Sequence, residues 1–190
     1  FEGDDNAPSI HIGFKDKYIG KISFTDQLKS NASTLVQSLR MRGIQQIGLL
    51  SGDRQTLADA LKNKLELDFA HGELLPEDKV NAFLKIREQY APAAFVGDGV
   101  NDAPVLALAD VGIAMGAFGS DSAIESADVV IEDDNLLKID TAINIASKTQ
   151  QNVWQNLGFA IVVKVLVLIL GAMGYAGLWE AIFADVGVAL

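Results

Sequence analysis

The stretch Ala93-Ala94-Phe95-Val96-Gly97-Asp98-Gly99-Val100-Asn101-Asp102-Ala103-Pro104 decides how the chain folds. Its first four residues form a short apolar run that reads as a buried parallel strand. The run stops at an aspartate bracketed by Gly97 and Gly99, which let the backbone turn sharply. Open α/β sheets bind their ligands at the C-terminal ends of strands, so a functional loop is expected there. Asp98 and Asp102 lie four residues apart around Asn101, and two unpaired carboxylates this close repel and raise one pKa. A hard cation such as Mg²⁺, which takes oxygen ligands, resolves the conflict and brings a phosphate with it. The plainer alternative is a βα turn in which Asp102 only caps the next helix.

Outward from this loop, strand and helix patterns alternate. Ile10, Ile12 and Phe14 alternate with Ser9, His11 and Gly13, and Tyr18, Ile22 and Phe24 follow a Lys-Asp-Lys turn, which reads as a hairpin with His11 on its solvated side. Ser33, Val36 and Leu39 suggest a helix closing at Gly43. Ile47 to Leu50 is another apolar run, ending at Ser51-Gly52-Asp53-Arg54. Leu57, Ala58, Leu61 and Leu65 stand at helical spacing over 55–65. Pro76-Glu77-Asp78-Lys79 opens a further helix with proline and acids in its first turn. Lys79 opposes the helix dipole there, so it is either solvated or a fixed cation aimed at an anion. A helix over 103–109, a strand over 111–115, a small-residue segment and a strand over 129–131 follow. The alternation predicts an α/β fold with a parallel, helix-covered sheet. Its strand edge then gathers a hydroxyl and carboxylate (Ser51, Asp53), an ammonium (Lys79) and the Asp98, Asn101 and Asp102 loop. That is a kit for binding a phosphoryl group and its developing charge.

The chain has 190 residues, no cysteine and a formal net charge of −10. A disulfide framework and a thiolate metal site within it are therefore excluded, and a nucleic-acid backbone is an unsuitable partner. Charge is unevenly spread: from Val153 onward only Lys164, Glu180 and Asp185 are charged. Residues 153–175 form an apolar stretch of roughly the twenty residues that cross a bilayer. Gly171, Gly174 and Gly177 then permit a turn, with Trp179 at interface level. A second apolar stretch from Leu178 stops at Leu190, too short to span. Lys138 and Lys148 precede the first span, which predicts a cytoplasmic location for the charged part. Lys164 and Asp185 are ionisable groups at membrane depth, costly and by default functional. A core hairpin is the alternative for the tail, and a purely structural ion pair is the alternative for those two residues.

Ser51-Gly52-Asp53, Pro76-Glu77-Asp78-Lys79, Gly97-Asp98-Gly99-Val100-Asn101-Asp102-Ala103-Pro104, Ala109-Asp110-Val111-Gly112-Ile113-Ala114-Met115-Gly116 and Ser126-Ala127-Asp128-Val129-Val130, in this order, resemble the phosphorylation domain of P-type ATPases, of the haloacid-dehalogenase-like superfamily. The resemblance implies a Rossmann-like phosphorylation domain over 25–150, the last strands of a nucleotide-binding domain over 1–24, and the last two transmembrane helices over 151–190, the second truncated. By position it implies that Asp98, in its Gly97/Gly99 turn, binds Mg²⁺, that Asn101 contacts the phosphoryl oxygens and that Asp102 holds the loop. It implies that Lys79 neutralises the phosphoryl group, that Ser51 hydrogen-bonds it, and that Asp53 lies near ATP at a hinge. The family usually has threonine at the Ser51 position; serine keeps the hydroxyl.

Asp185-Val186-Gly187 with Lys164 resembles the zinc/cadmium/lead-exporting branch, with Asp185 meeting the transported ion and Lys164 as internal counter-ion. The Tyr-Asn and Met-x-x-Ser-Ser patterns of the copper branch and the His-Glu-Gly-like run of the cobalt-type branch do not occur. The expected protein is thus a divalent-metal (Zn²⁺, Cd²⁺, Pb²⁺) export pump in a bacterial plasma membrane, partnered by the lipid bilayer and by the rest of the parent ATPase. The family's phosphorylation motif, Asp-Lys-Thr-Gly-Thr, does not occur in the sequence, so this chain by itself is expected to be inactive. A membrane-tethered phosphatase of the same superfamily and a degenerate, non-catalytic paralogue are the competing readings.

Overall fold

The computed structural model describes residues 9–15, 17–23, 28–97, 101–116, 125–175, 177, 179 and 182. The chain divides into two compact units, Phe1–Lys79 and Val80–Leu190.

In the first unit, β1 (Ser9–Phe14) pairs antiparallel with β2 (Lys17–Ser23), Ile10 opposite Ile22, with a register shift at Ile12/Gly13. The expected hairpin forms, and His11 is exposed in it, 5.8 Å centroid to centroid from Tyr18. Next come α1 (Ala32–Met41), β3 (Gly48–Leu50), α2 (Gln55–Leu65) and β4 (Phe69–His71). β3 and β4 pair in parallel, with Leu50 opposite His71. α2 runs over the predicted residues and buries Ala58, whereas Leu57 is 49% exposed. Leu57 lies about 100° around the helix from Ala58, so the stripe is 58, 61 and 65 rather than all four leucine and alanine positions. β4 was not foreseen; three residues show too little periodicity to separate a strand from a loop. α3 (Pro76–Tyr90) begins at the end of this unit and continues in the next.

The second unit holds β5 (Ala94–Gly97), α4 (Ala103–Leu108), β6 (Val111–Met115), β7 (Val129–Ile131) and α5 (Leu137–Ala172). Its sheet is parallel, in the order β5-β6-β7. Leu106 and Ala114 form the centre of its core, with Phe95 and Ala127 packed against them. Phe83 meets Phe95 edge-on at 5.5 Å. An added Cβ on Gly112 would lie 2.5 Å from the Leu106 carbonyl oxygen, so the lack of a side chain there lets α4 lie directly on β6.

One expectation changes. The apolar run ending at Val96 is not fully buried: Val96 is 41% exposed, and among the described residues β5 is at the edge of its sheet and β6 at its centre. Parallel pairing holds, in β3-β4 of the first unit and in β5-β6-β7 of the second.

Aspartates start the parallel pairs. Asp68 accepts the Ile47 N–H at 2.6 Å and Arg40 Nη2 at 2.5 Å. Asp110 accepts the Ala93 N–H at 2.9 Å and Arg87 Nη2 at 2.6 Å. Asp128 accepts the Gly112 N–H at 2.8 Å. Desolvation pushes the Asp68 carboxyl up, but the Ile47 N–H and the Arg40 guanidinium outweigh it and hold it below the usual carboxylate range.

Two outcomes follow for stability. Leu106 is 1% exposed, so Leu106→Ala should cost about 2–5 kcal/mol, read by denaturant unfolding of the chain in detergent. Because the folded pKa of Asp68 is depressed, its contribution is complete above the unfolded value of about 3.9 and is lost as pH falls through the lower folded value. Asp68→Asn should therefore lower the melting temperature at neutral pH and flatten the acid limb of a melting-temperature–pH curve.

Candidate phosphoryl site

In the first unit, β3 ends where Ser51 begins. Ser51 Oγ donates to Asp53 Oδ2 at 2.9 Å and accepts the Asp53 N–H at 3.1 Å. The hydroxyl is therefore held facing the loop, and rotation away from Asp53 would be needed for it to donate to a phosphoryl oxygen. The loop is zipped to the segment after β4: the Ser51 N–H reaches His71 O at 2.8 Å, Leu74 N–H reaches Ser51 O at 3.1 Å, and Glu73 N–H reaches Asp53 O at 2.6 Å. That segment leads to α3, where the Asp78 carboxylate accepts the Leu75 N–H at 3.3 Å and Lys79 stands half-buried in the first turn.

In the second unit, Gly97 closes β5 and Asp102 precedes α4. Asp102 is 8% exposed, the buried charged residue among those described. An added Cβ on Gly97 would lie 2.9 Å from both Cβ and Oδ2 of Asp102, so the carboxylate packs against the strand's end. The capping alternative is not realised: Asp102 makes no side-chain cap bond, and its carbonyl instead accepts the Val105 and Leu106 N–H groups, each at 2.9 Å. Asn101 is exposed beside it. Ser51 and Asp53 are thus brought together in one unit, and Gly97 and Asp102 in the other. Asp98, Gly99 and Asp185 lie outside the described residues. The carboxylate and amide oxygens of Asp102 and Asn101 suit Mg²⁺ in kind, while the described residues contain no cluster of three or more metal-ligating side chains.

α5 runs 36 residues without a break, about 54 Å at 1.5 Å per residue. It begins at an Asn135 Oδ1 that accepts the Leu137 N–H at 3.1 Å, and at a Lys138–Asp133 ion pair of 2.6 Å. Ile139 is buried, while its apolar window has a mean hydropathy of 2.1 and is 0% buried. No described residue buries this window, which favours a membrane span over a core hairpin for residues 153–175. Lys164 lies exposed on the helix, and the turn after it uses Gly174 at φ +78.

Sequence reading missed Gln55 and Gly72. Gln55 accepts the Gly72 N–H at 2.6 Å and donates to Ala70 O at 3.1 Å. A polar residue opening a helix gave no signal of a partner seventeen positions away.

A family model described as a haloacid dehalogenase-like hydrolase matches residues 4–110. The chain is 46% identical over 191 residues to the cadmium, zinc and cobalt-transporting ATPase of Bacillus subtilis (strain 168), covering 98% of this chain and 27% of that one. It is 45% identical to the zinc-transporting ATPase of Synechocystis sp. (strain ATCC 27184 / PCC 6803 / Kazusa), covering 95% of this chain and 25% of that one. A crystal structure of a zinc-transporting PIB-type ATPase in its E2.Pi state superposes with a TM-score of 0.77 at 38% identity, covering 92% of this chain and 28% of that one. The chain spans about a quarter of the length of the curated relatives it matches.

The contact between Gly97 and Asp102 can be measured by a double-mutant cycle. Gly97→Ala should cost about 1–3 kcal/mol by overpacking, and its cost in an Asp102→Ala background should differ by about 0.5–3 kcal/mol. Denaturant unfolding of the four chains gives the coupling.

Proposed function

The chain belongs to the haloacid dehalogenase-like hydrolase family, and from that premise we propose that it is the phosphorylation domain and adjoining membrane segment of an ATP-driven pump exporting Zn²⁺, Cd²⁺ or Pb²⁺. The observation that carries the proposal is α5: one unbroken helix starts inside the α/β unit and continues as an exposed apolar rod bearing a single cation, Lys164. A phosphatase needs no such conduit, and the likeness to metal-transporting ATPases extends over nearly the whole chain, so the tethered-phosphatase reading is the weaker one. The domains proposed are the end of a nucleotide-binding domain over 1–24, the phosphorylation domain over 25–150, and membrane helices over 151–190.

ATP energy enters as an aspartyl phosphate formed on a segment that this sequence does not contain. Mg²⁺, held by Asp98 with Asn101 and Asp102 beside it, would supply charge neutralisation at the phosphoryl oxygens. Lys79 contributes a second positive charge and Ser51 a hydroxyl, once it leaves Asp53. Asp53, freed in the same exchange, lies at the nucleotide side. Asp102, already packed against Gly97, keeps the loop at the strand's end. In the membrane, Lys164 and Asp185 form an ion pair when no metal is bound; a divalent ion takes the carboxylate, and Lys164 returns to help release it. The pump sits in a bacterial plasma membrane with the charged units in the cytoplasm.

In the full-length pump, Asp98→Ala should abolish ATP turnover, and Lys79→Ala should lower it about 10²–10³-fold. Asp185→Ala should remove metal-stimulated ATPase while the full-length variant keeps the parent's melting temperature. Metal-stimulated ATPase at the parent rate in that variant would take Asp185 out of the transport site.

A further inference from the structure

The parallel pair β3-β4 ends at Leu50 opposite His71, yet the two chains do not part there. Three backbone hydrogen bonds hold residues 51–53 against 71–74. At the point where that ladder runs out, the Gln55 side chain replaces it. Its Oε1 accepts the Gly72 N–H at 2.6 Å, and its Nε2 donates to Ala70 O at 3.1 Å and to Asp59 Oδ1 at 2.9 Å. Gly72 is the counterpart. A Cβ there would lie 2.7 Å from Gln55 Cα, 2.8 Å from Gln55 N and 2.8 Å from Asp53 O, all main-chain atoms with no rotamer to yield. The two segments therefore touch backbone to backbone, and a side chain at position 72 would drive them apart.

We propose that Gln55 and Gly72 are positioning residues that join the Ser51–Asp53 loop and the segment leading to Lys79 into one rigid piece, so that the hydroxyl and the ammonium reach a phosphoryl group in fixed register. The proposal rests on the reading of Ser51 and Lys79 as phosphoryl-binding groups. Geometry is what makes the clamp consequential: misplacing a charge-stabilising group by about 1 Å can cost on the order of 10²-fold in rate. Without the clamp, the three backbone bonds between residues 51–53 and 71–74 would have to hold the Ser51 loop to the segment before α3; they lie beyond the last strand pair and would open locally at little cost.

The test has two arms, with Gln55→Met (similar size, all three side-chain hydrogen bonds lost), Gln55→Glu (acceptor for Gly72 kept, donor lost) and Gly72→Ala. In this chain, amide hydrogen exchange at Gly72, Glu73 and Leu74 should rise at least about tenfold in Gln55→Met and Gly72→Ala and less in Gln55→Glu, while the β6 amides of Ile113 and Ala114 stay protected. In the full-length protein, phosphoenzyme hydrolysis should slow about 10–100-fold in the first two variants, with the KM for ATP unchanged and partial rescue in Gln55→Glu. If Gly72→Ala does not fold, as loss of β6 protection would show, Gln55→Met decides. Unchanged exchange at residues 72–74, or loosened exchange with hydrolysis at the parent rate, overturns the clamp. Lys79→Ala runs beside them: hydrolysis at the parent rate in that variant too overturns the phosphoryl-site reading and the clamp with it.

Discussion

The arrangement rests on an aspartate placed one residue before the second strand of each parallel pair. Asp68, Asp110 and Asp128 precede β4, β6 and β7, and each closes the same two-bond ring. The aspartate's backbone N–H donates to the carbonyl of Ile47, Ala93 or Gly112, at 2.9, 3.0 and 2.9 Å. Its carboxylate accepts the N–H of that same residue. A parallel ladder has slanted bonds and leaves its first donors unpaired. A carboxylate at that place satisfies one of them with a charge-assisted bond, about twice as strong as a neutral one. In two of the three rings an arginine from the preceding helix, Arg40 or Arg87, completes the neutralisation. The helix is thereby tied to the start of the strands it crosses.

Pinning one end of the strands leaves the other end for chemistry. Ser51 follows β3 and Gly97 closes β5, both at C-terminal strand ends, opposite the aspartate rings within their own units. In the proposed function, stability and chemistry are drawn from different carboxylates of an acidic chain. Asp68 and Asp110 stay ionised through arginine and backbone N–H partners and need no cation. Asp102 is buried against Gly97 at the C-terminal end of β5, away from the arginine-bound rings.

Much of this was legible. α2, α3, β6 and β7 announce themselves through helical spacing, a proline-led first turn, and apolar runs bounded by turn residues. That Gly97 closes a strand and Asp102 precedes a helix was readable, because an apolar run broken by glycine and aspartate marks a strand's end. Burial was read less well: Val96 belongs to an apolar run but sits on an edge strand, and no local pattern encodes a strand's place in a sheet. β4 was too short to show a period. The aspartate rings and the Gln55–Gly72 contact were invisible for a different reason. Each joins residues sixteen to twenty-one positions apart, with one partner supplying only its backbone, and a backbone group carries no sequence signal.

α5 carries the same logic into its far half. A helix of this length is stable in water only where packing or partners hold it. Here its first turns are held: Asn135 and the Lys138–Asp133 pair fix its start, and Ile139 is buried. From Val153 the exposed side chains are predominantly apolar, and no described residue covers them. A helix held at its near end and mainly apolar beyond Val153 is what the proposed membrane segment calls for. Its interior has no proline, and Gly158 is its one glycine before Gly171, so there is little to absorb a push along the axis. In the proposed pump such a helix would carry a displacement from its pinned end to Lys164, because every turn between them is hydrogen-bonded to the next.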